Sequence, residues 1–335
     1  MIQAAIIGAG CVGQRYAKHL LKTELSEIVG VYDADVEAAS QLGMASNCQS
    51  FTKFEALTAA IPANTVFVCM ESAIGSRKQH ILLALLHGRH VITPLTAELS
   101  LTDIKILMEA SYKYNTRLLF LHPEKFTAHN RDIQKNIDDG AIGQIGMINV
   151  KRYSMKPLFS AWHDLAILDI DLLRWIVGDV ATVYAMRTSS ENVDYTLITL
   201  KFTNGAIANI EDFLGYPGEY TSAVEYAGSK GVIRYDSRKT NALYVHKTAV
   251  PASQPAKTGF CPSFRDPEYE ELVYLLNCFQ DNHFSVSTVE DAFETRKVIA
   301  AVAQSIKTGK PVRPADAIWK DDLYANAEDG GQQHA

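Results

Sequence analysis

The feature that most restricts this chain is a glycine turn near its start. Residues 8–13 read Gly8-Ala9-Gly10-Cys11-Val12-Gly13, directly after the apolar run at residues 2–7 and directly before an amphipathic stretch at 14–22. Each glycine in such a turn has its own task. Gly8 permits the tight bend, Gly10 lets the backbone approach a pyrophosphate, and Gly13 lets helix and strand pack closely. The helix that follows turns free N–H groups and a positive dipole end toward phosphates. Asp33 closes the second apolar run, 20 residues beyond Gly13. A carboxylate at that place meets the ribose hydroxyls of a bound dinucleotide. Taken singly, these residues are also compatible with a tight turn and a helix-capping aspartate. Taken in order, strand, turn, helix, strand and carboxylate predict a dinucleotide site containing Gly8, Ala9, Gly10, Cys11, Val12, Gly13 and Asp33. A carboxylate at 33 repels a 2′-phosphate and Ala34 supplies no cation, so the expected cofactor is NAD rather than NADP.

The first 120 or so residues continue the same grammar. Strand-like runs at 27–33, 65–70, 90–93 and 117–121 alternate with helical stretches at 35–42, 80–87 and 101–114. That spacing predicts right-handed βαβ units and a parallel sheet. Ligands gather at the carboxyl ends of such strands. Met70, Thr93 and Pro94, which close two of the runs, therefore complete the expected cofactor set. Beyond residue 121 the pattern changes. Helices are predicted at 130–139 and 161–177, then strands at 180–188, 193–203, 206–214, 220–228, 231–236 and 241–247. Asn204-Gly205 marks a hairpin between two of them. Four prolines between 249 and 267 suggest a long loop, and helices at 268–281 and 289–308 follow, the last capped by Gly309. The expected architecture is an α/β Rossmann domain, 1–121, then an α+β domain with a large, mainly antiparallel sheet, 122–319, and a polar tail, 320–335.

Composition narrows the function. At 335 residues the chain has length for two domains, with 47% hydrophobic and 21% charged residues, as in ordinary globular proteins. Acidic residues outnumber basic ones 38 to 32, which argues against a nucleic-acid partner. No apolar run approaches the roughly 18 residues of a membrane span, and the start lacks the features of a signal peptide. These traits predict a cytoplasmic protein. The five cysteines contain no Cys-x-x-Cys pair, so no metal site is expected from them. His80, His87 and His90 fall on a helix and the strand after it, a placement that does not converge three rings on one ion.

Several ordered segments resemble one family, the glucose–fructose oxidoreductase, inositol dehydrogenase and rhizopine-catabolism group (Gfo/Idh/MocA), over about residues 1–315. GAGCVG and the VYDAD after it are similar to its cofactor half. His80, Ala84, Leu85, Gly88, Arg89, His90 and Val91 resemble its H-x-x-x-A-L-x-x-G-K-H-V segment. Residues 138–146, DDGAIGQIG, resemble its entry to the second domain, and residues 164–175, DLAILDIDLLRW, its D-L-x-x-H-D-I-D-L-L-R-W helix. Lys310-Pro311-Val312 resembles its closing G-K-P-V. The resemblance implies a nicotinamide-dependent oxidoreductase acting on a sugar, polyol or related small molecule, and a homodimer or homotetramer built on the open sheet face.

The chemistry departs from that pattern. The family's Lys, in an E-K-P motif, has no counterpart in the segment Thr93-Pro94-Leu95-Thr96, where Leu95 or Thr93 takes its place. Leu168 stands where the helix has its His. Proton transfer by such groups contributes roughly 10²–10⁴-fold, and neither Leu nor Thr supplies it near neutral pH. The remaining candidates are Asp164, His163 and Lys125. Asp164, Leu168 and Asp171 share one helix face, where two carboxylates would bind hydroxyls; pairing with Arg or Lys, with Leu168 in the core, suits them equally. His163 is the imidazole nearest the lost site, or a surface or cap residue. Lys125 leaves the last parallel strand beside Phe126, similar to an Arg-Phe pair of the family, or is a solvated loop lysine. Tyr153 is a weaker candidate for the pocket wall. A chain of this kind that retains the dinucleotide turn but no catalysis, acting as a regulator or partner protein, is the alternative reading.

Overall fold

The computed structural model describes residues 1–72, 74–96, 98–155, 161–239, 243–247, 266–281 and 285–318. The chain divides into two compact units, Met1–Phe126 with Arg265–Phe293, and Thr127–Phe264 with Glu294–Ala335.

The first unit is built on a six-stranded parallel sheet. Its strands are β1 (Ile2–Ile7), β2 (Ser26–Tyr32), β3 (Gln49–Phe51), β4 (Val66–Cys69), β5 (Val91–Pro94) and β6 (Leu118–Leu121), in the order β3-β2-β1-β4-β5-β6. The helices between them are α1 (Cys11–Lys22), α2 (Val36–Ala45), α3 (Phe54–Ala60), α4 (Ile74–Leu86) and α5 (Leu101–Lys113). Among the described residues, side-chain caps close two of them. The Asp35 side chain accepts from Glu37 N and Ala38 N at the start of α2, and Ser100 with Asp103 forms a capping box on α5. The short β3 and α3 were not expected. Three residues are too few to show a period, and Phe54, Leu57 and Ile61 supply the apolar anchors that hold α3 down.

The unit also reclaims a distant segment. Helix α8 (Pro267–Gln280) packs Leu272, Leu275 and Leu276 into the same core as Tyr16, Ala17 and Leu20 of α1. Its Glu271 is fully buried and accepts from His122 N at 2.6 Å. The helix periodicity of 268–281 is legible; its return to the first unit is not, because the partners that fix it lie 149 residues away at His122 and 253 away at Arg15. Most of the proline-rich stretch at 249–267, and the tail from 320, lie outside the described residues.

The second unit carries a seven-stranded sheet. The strands are β7 (Ile145–Ser154), β8 (Val180–Ser189), β9 (Asp194–Phe202), β10 (Ile207–Leu214), β11 (Thr221–Gly228), β12 (Gly231–Asp236) and β13 (Leu243–Lys247), in the order β13-β12-β11-β7-β10-β9-β8. Only the β7–β10 pair is parallel. Gly205 turns the β9–β10 hairpin at φ +93°. Helix α6 (Ala128–Asp138) ends at Gly140, and α7 (Trp162–Val177) ends at Gly178, both glycines at positive φ. Helix α7 lies against β7, β9 and β10, and α9 (Val289–Thr308) ends before Gly309. The expected class, a Rossmann domain followed by a mainly antiparallel α+β domain, is borne out. Strand β7 was not foreseen. Its INVKRYS core alternates charge into both faces, and on the buried side Arg152 is met by Asp169 on α7 and by the Tyr220 hydroxyl.

Candidate functional site

In the first unit the glycine turn has the geometry its spacing requires. Gly8 sits at φ +98°, and a Cβ there would lie 2.7 Å from Glu71 N. A Cβ on Gly13 would fall 1.8 Å from Gly8 O, so only hydrogen fits where helix meets strand. Gly10 is the opposite case: among the described residues no heavy atom lies within 4 Å of its added Cβ. Close packing on both sides and open space between them is the shape a pyrophosphate needs. Gly10 is the N-cap of α1 with no side-chain cap bond, and the first turn holds no acid. The N-terminal N–H groups are thus left for an anion. Cys11 and Val12 are exposed there.

Asp33 lies beside this turn. Its Oδ2 accepts from Ala9 N at 2.6 Å and its Oδ1 from Asp35 N at 2.9 Å. A carboxylate has about four acceptor positions, so two remain for ribose hydroxyls. The residues present fit a dinucleotide. Ala9, Gly10, Cys11, Val12 and Gly13 would face its phosphates and Asp33 its adenosine ribose.

The ends of β4 and β5 are less open to chemistry. Met70 is buried and donates its N–H to Ile7 O. Thr93 is fully buried with its hydroxyl on Cys69 O at 3.1 Å, and Leu95 is buried too. Neither alignment of the missing lysine leaves a titratable group there. Lys125, in a short 3₁₀ turn at Pro123–Phe126, is buried and donates from Nζ to Val286 O at 3.2 Å.

In the second unit, α7 sorts its polar residues by face. Asp164 caps the helix, accepting from Ala161 N at 3.1 Å. Its Oδ1 stands 3.9 Å from His163 Nε2, and both side chains are 20% exposed. Leu168, one turn on, is half-buried. Asp171 is buried and accepts from Thr295, so it is a structural carboxylate and not a partner of Asp164 on an open face. Burial holds the His163 imidazole below its ordinary range; Arg296 and Arg187 push the same way, against Asp164 and Asp194. The direction of that shift favours the neutral ring, the form that accepts a proton. Tyr153, expected on a pocket wall, lines a cavity with Met186, Tyr195, Leu197 and Phe213, on the sheet face opposite α7. Side chains alternate along a strand, and its neighbour Arg152 is the one bonded to α7.

Comparison with known proteins places this geometry. Residues 2–122 match the model of the oxidoreductase family, NAD-binding Rossmann fold, and residues 134–313 match its C-terminal alpha/beta domain. The chain belongs to the Gfo/Idh/MocA oxidoreductase family. An uncharacterized oxidoreductase, YrbE, of Bacillus subtilis is 22% identical across 93% of this chain and 96% of its own length. The inositol 2-dehydrogenase of Burkholderia multivorans is 24% identical across 70% of this chain and 73% of its own. The WlbA dehydrogenase of Bordetella pertussis, solved with NADH and UDP-GlcNAcA, superposes with a TM-score of 0.78 at 19% identity, covering 93% of this chain and 98% of that one. The first unit is thus an NAD-binding Rossmann domain, as the glycine turn predicts.

Within this Gfo/Idh/MocA chain, three sets of polar residues escaped the sequence reading. Arg77, in the first turns of α4, is buried and donates to Thr96 Oγ1 and Glu98 Oε2, both at 3.0 Å. Glu71 pairs with His80 at 2.8 Å. On the α7 side of the second sheet, Arg152 forks onto Asp169 at 2.5 and 2.9 Å, and Arg187 onto Asp194. Asp212 lies in the same layer, buried, with neither carboxylate oxygen hydrogen-bonded among the described residues. Burial, then the charge of Asp169, pushes its carboxyl well above the usual carboxylate range. No local motif marks these pairs; alternation in β9 and β10, which puts Asp194 and Asp212 on the apolar face, is the one available signal.

Proposed function

We propose that this chain is an NAD-dependent oxidoreductase acting on a sugar, polyol or related small molecule, with His163 as proton acceptor in place of the family's Lys and His. The observation that carries the reading is the largely buried His163 imidazole 3.9 Å from Asp164 at the head of α7, its charged form disfavoured by burial, in a chain whose NAD-binding turn is intact. The nicotinamide, when bound, supplies the hydride acceptor. The chain's own part is to orient an alcohol, take its hydroxyl proton on His163, and hold the resulting imidazolium with the Asp164 carboxylate. Inositol 2-dehydrogenase relatives support a polyhydroxylated substrate.

The test is a panel of inositols, aldoses and their keto forms with NAD and NADH across pH. Turnover is expected, with kcat falling on the acid side as His163 protonates. His163→Ala should lower kcat by about 10²–10⁴-fold. An unchanged rate and pH profile in that variant would remove His163 from the role.

One observation favours a second reading, a dinucleotide-binding member without catalysis. The positions that would carry the family's Lys and His hold buried Leu95 and Thr93 and half-buried Leu168. In that case the panel gives no turnover despite firm NADH binding, and Leu168→His with Leu95→Lys should bring measurable activity.

The same proposal extends to assembly as a homodimer or homotetramer through the sheet face opposite α7. Met147, Met186, Tyr195, Leu197 and Ile207 are all exposed on it. Light scattering is expected to show an oligomer that Leu197→Lys with Met186→Lys dissociates.

A further inference from the structure

The carboxyl end of the first sheet holds a second carboxylate that the glycine turn does not account for. In the strand order β2-β1-β4, Asp33 follows β2, Gly8 follows β1 and Glu71 follows β4. The turn is therefore flanked by an acid on each side. Glu71 is close to it, since its backbone N lies 2.7 Å from where a Gly8 Cβ would stand.

The Glu71 side chain is directed back toward β2. Its Oε2 lies 2.8 Å from His80 Nδ1. The His80 ring meets Tyr32 edge-on at 5.0 Å and stacks on Phe54 at 4.4 Å. Tyr32 is the residue immediately before Asp33. Both carboxylates thus converge on the end of β2, and both raise the Tyr32 phenol above its ordinary range, after burial as the larger cause. Glu71 and His80 are only 12% and 11% exposed, so their pairing is sheltered from water on most sides. The Arg77 guanidinium donates to Thr96 and Glu98 on the β5 side, while the charge of Glu71 still acts on it through space.

We propose that Glu71, held in place by His80, is a second specificity-determining residue for the cofactor, acting with Asp33 to reject a 2′-phosphorylated dinucleotide. The inference rests on the NAD-binding reading of the glycine turn and adds to it a residue and a division of labour. Asp33 spends two acceptor positions on backbone N–H groups, which partly offset its charge. Glu71, whose Oε2 meets the His80 ring and whose other oxygen accepts from no backbone N–H among the described residues, adds a second carboxylate charge at low local dielectric. A 2′-phosphate carries close to two negative charges, and a ribose hydroxyl none. The pyrophosphate is common to both cofactors, so its interaction with Glu71 cancels in the ratio of their affinities.

That ratio is the readout. Titrate wild type and Glu71→Gln with NADH and with NADPH at low ionic strength, following nicotinamide fluorescence. The expected result is a fall of about tenfold, about 1.4 kcal/mol, in the NADPH-to-NADH Kd ratio, with tighter NADPH binding as its main source. Glu71→Ala should give the same ratio, so a folding defect in one variant leaves the other to report. In 0.5 M salt the difference between wild type and variant should shrink. An unchanged ratio in both variants overturns the proposal, even if both Kd values rise together, since that pattern marks a merely structural carboxylate. Wild-type protein that binds neither cofactor would instead overturn the reading beneath it.

Discussion

The two units treat their polar residues differently. In the first, the site is made chiefly of main chain: a bend at Gly8, an open place at Gly10 and a contact too close for any side chain at Gly13. In the second, the residues at the head of α7 are side chains whose roles depend on neighbours from other strands and from α9. Asp164 caps a helix, Asp171 holds Thr295, and Arg152 and Arg187 each meet a buried Asp. A backbone-defined site is written in a few adjacent letters. A side-chain-defined site is written in pairs that the fold brings together.

The sharpest way to break the comparison is at the turn itself. Gly13→Ala sets a methyl 1.8 Å from Gly8 O. Backbone must move, at about 3 kcal/mol, the upper part of the ordinary overpacking range. Urea unfolding should show this loss together with loss of NADH binding. Gly10→Val is expected to separate the two effects. Its side chain enters open space, so stability should stay within about 0.5 kcal/mol of wild type, while NADH no longer saturates. A Gly10→Val protein that binds NADH at wild-type concentrations would place the nucleotide elsewhere.

A smaller effect is expected at Asp33, where side chain and backbone cooperate. Asp33→Ala removes a charged acceptor from the ribose and also from Ala9 N and Asp35 N. Hydrogen bonds to charged groups are worth about 1.5–3 kcal/mol. NADH affinity should fall about 10–100-fold in a fluorescence titration, and a melting curve should show a minor loss from the two freed N–H groups. Equal NADH affinity in the variant would assign Asp33 to the backbone alone.

The same division explains what was legible. The parallel sheet, the hairpin at Asn204-Gly205 and the ends of α7 and α9 follow from periodicity and from glycines at positive φ, which are local properties. The NAD-binding turn is local as well. Strand β7 and the homing of α8 were hidden because each depends on a distant partner: Asp169 for Arg152, and His122 N for Glu271. The Glu71–His80 pair was hidden for a related reason. Nine residues separate the two, and only the return of α4 past the end of β2 brings the ring onto the carboxylate.

The finest probe of the second unit is Asp212. Its carboxyl is pushed well above the usual range, first by burial and then by Asp169, with Arg152 opposing. The folded protein thus binds this proton more tightly than the unfolded chain, whose Asp titrates near 3.8. The sign follows from linkage. The group's contribution to stability is full below the unfolded value and is lost progressively as pH rises toward the folded one. Asp212→Asn keeps the shape and removes the titration. It should match wild type near pH 4 and exceed it at pH 8 by about 1 kcal/mol, or 2–4 °C in melting temperature for a domain of this size. Urea titrations at the two pH values measure the difference. If the variant is instead weaker at pH 8, Asp212 is ionised and serves as a second partner of Arg152. The buried layer would then hold a shared ion network, and its polar residues would be as tightly specified by structure as the glycines of the first unit.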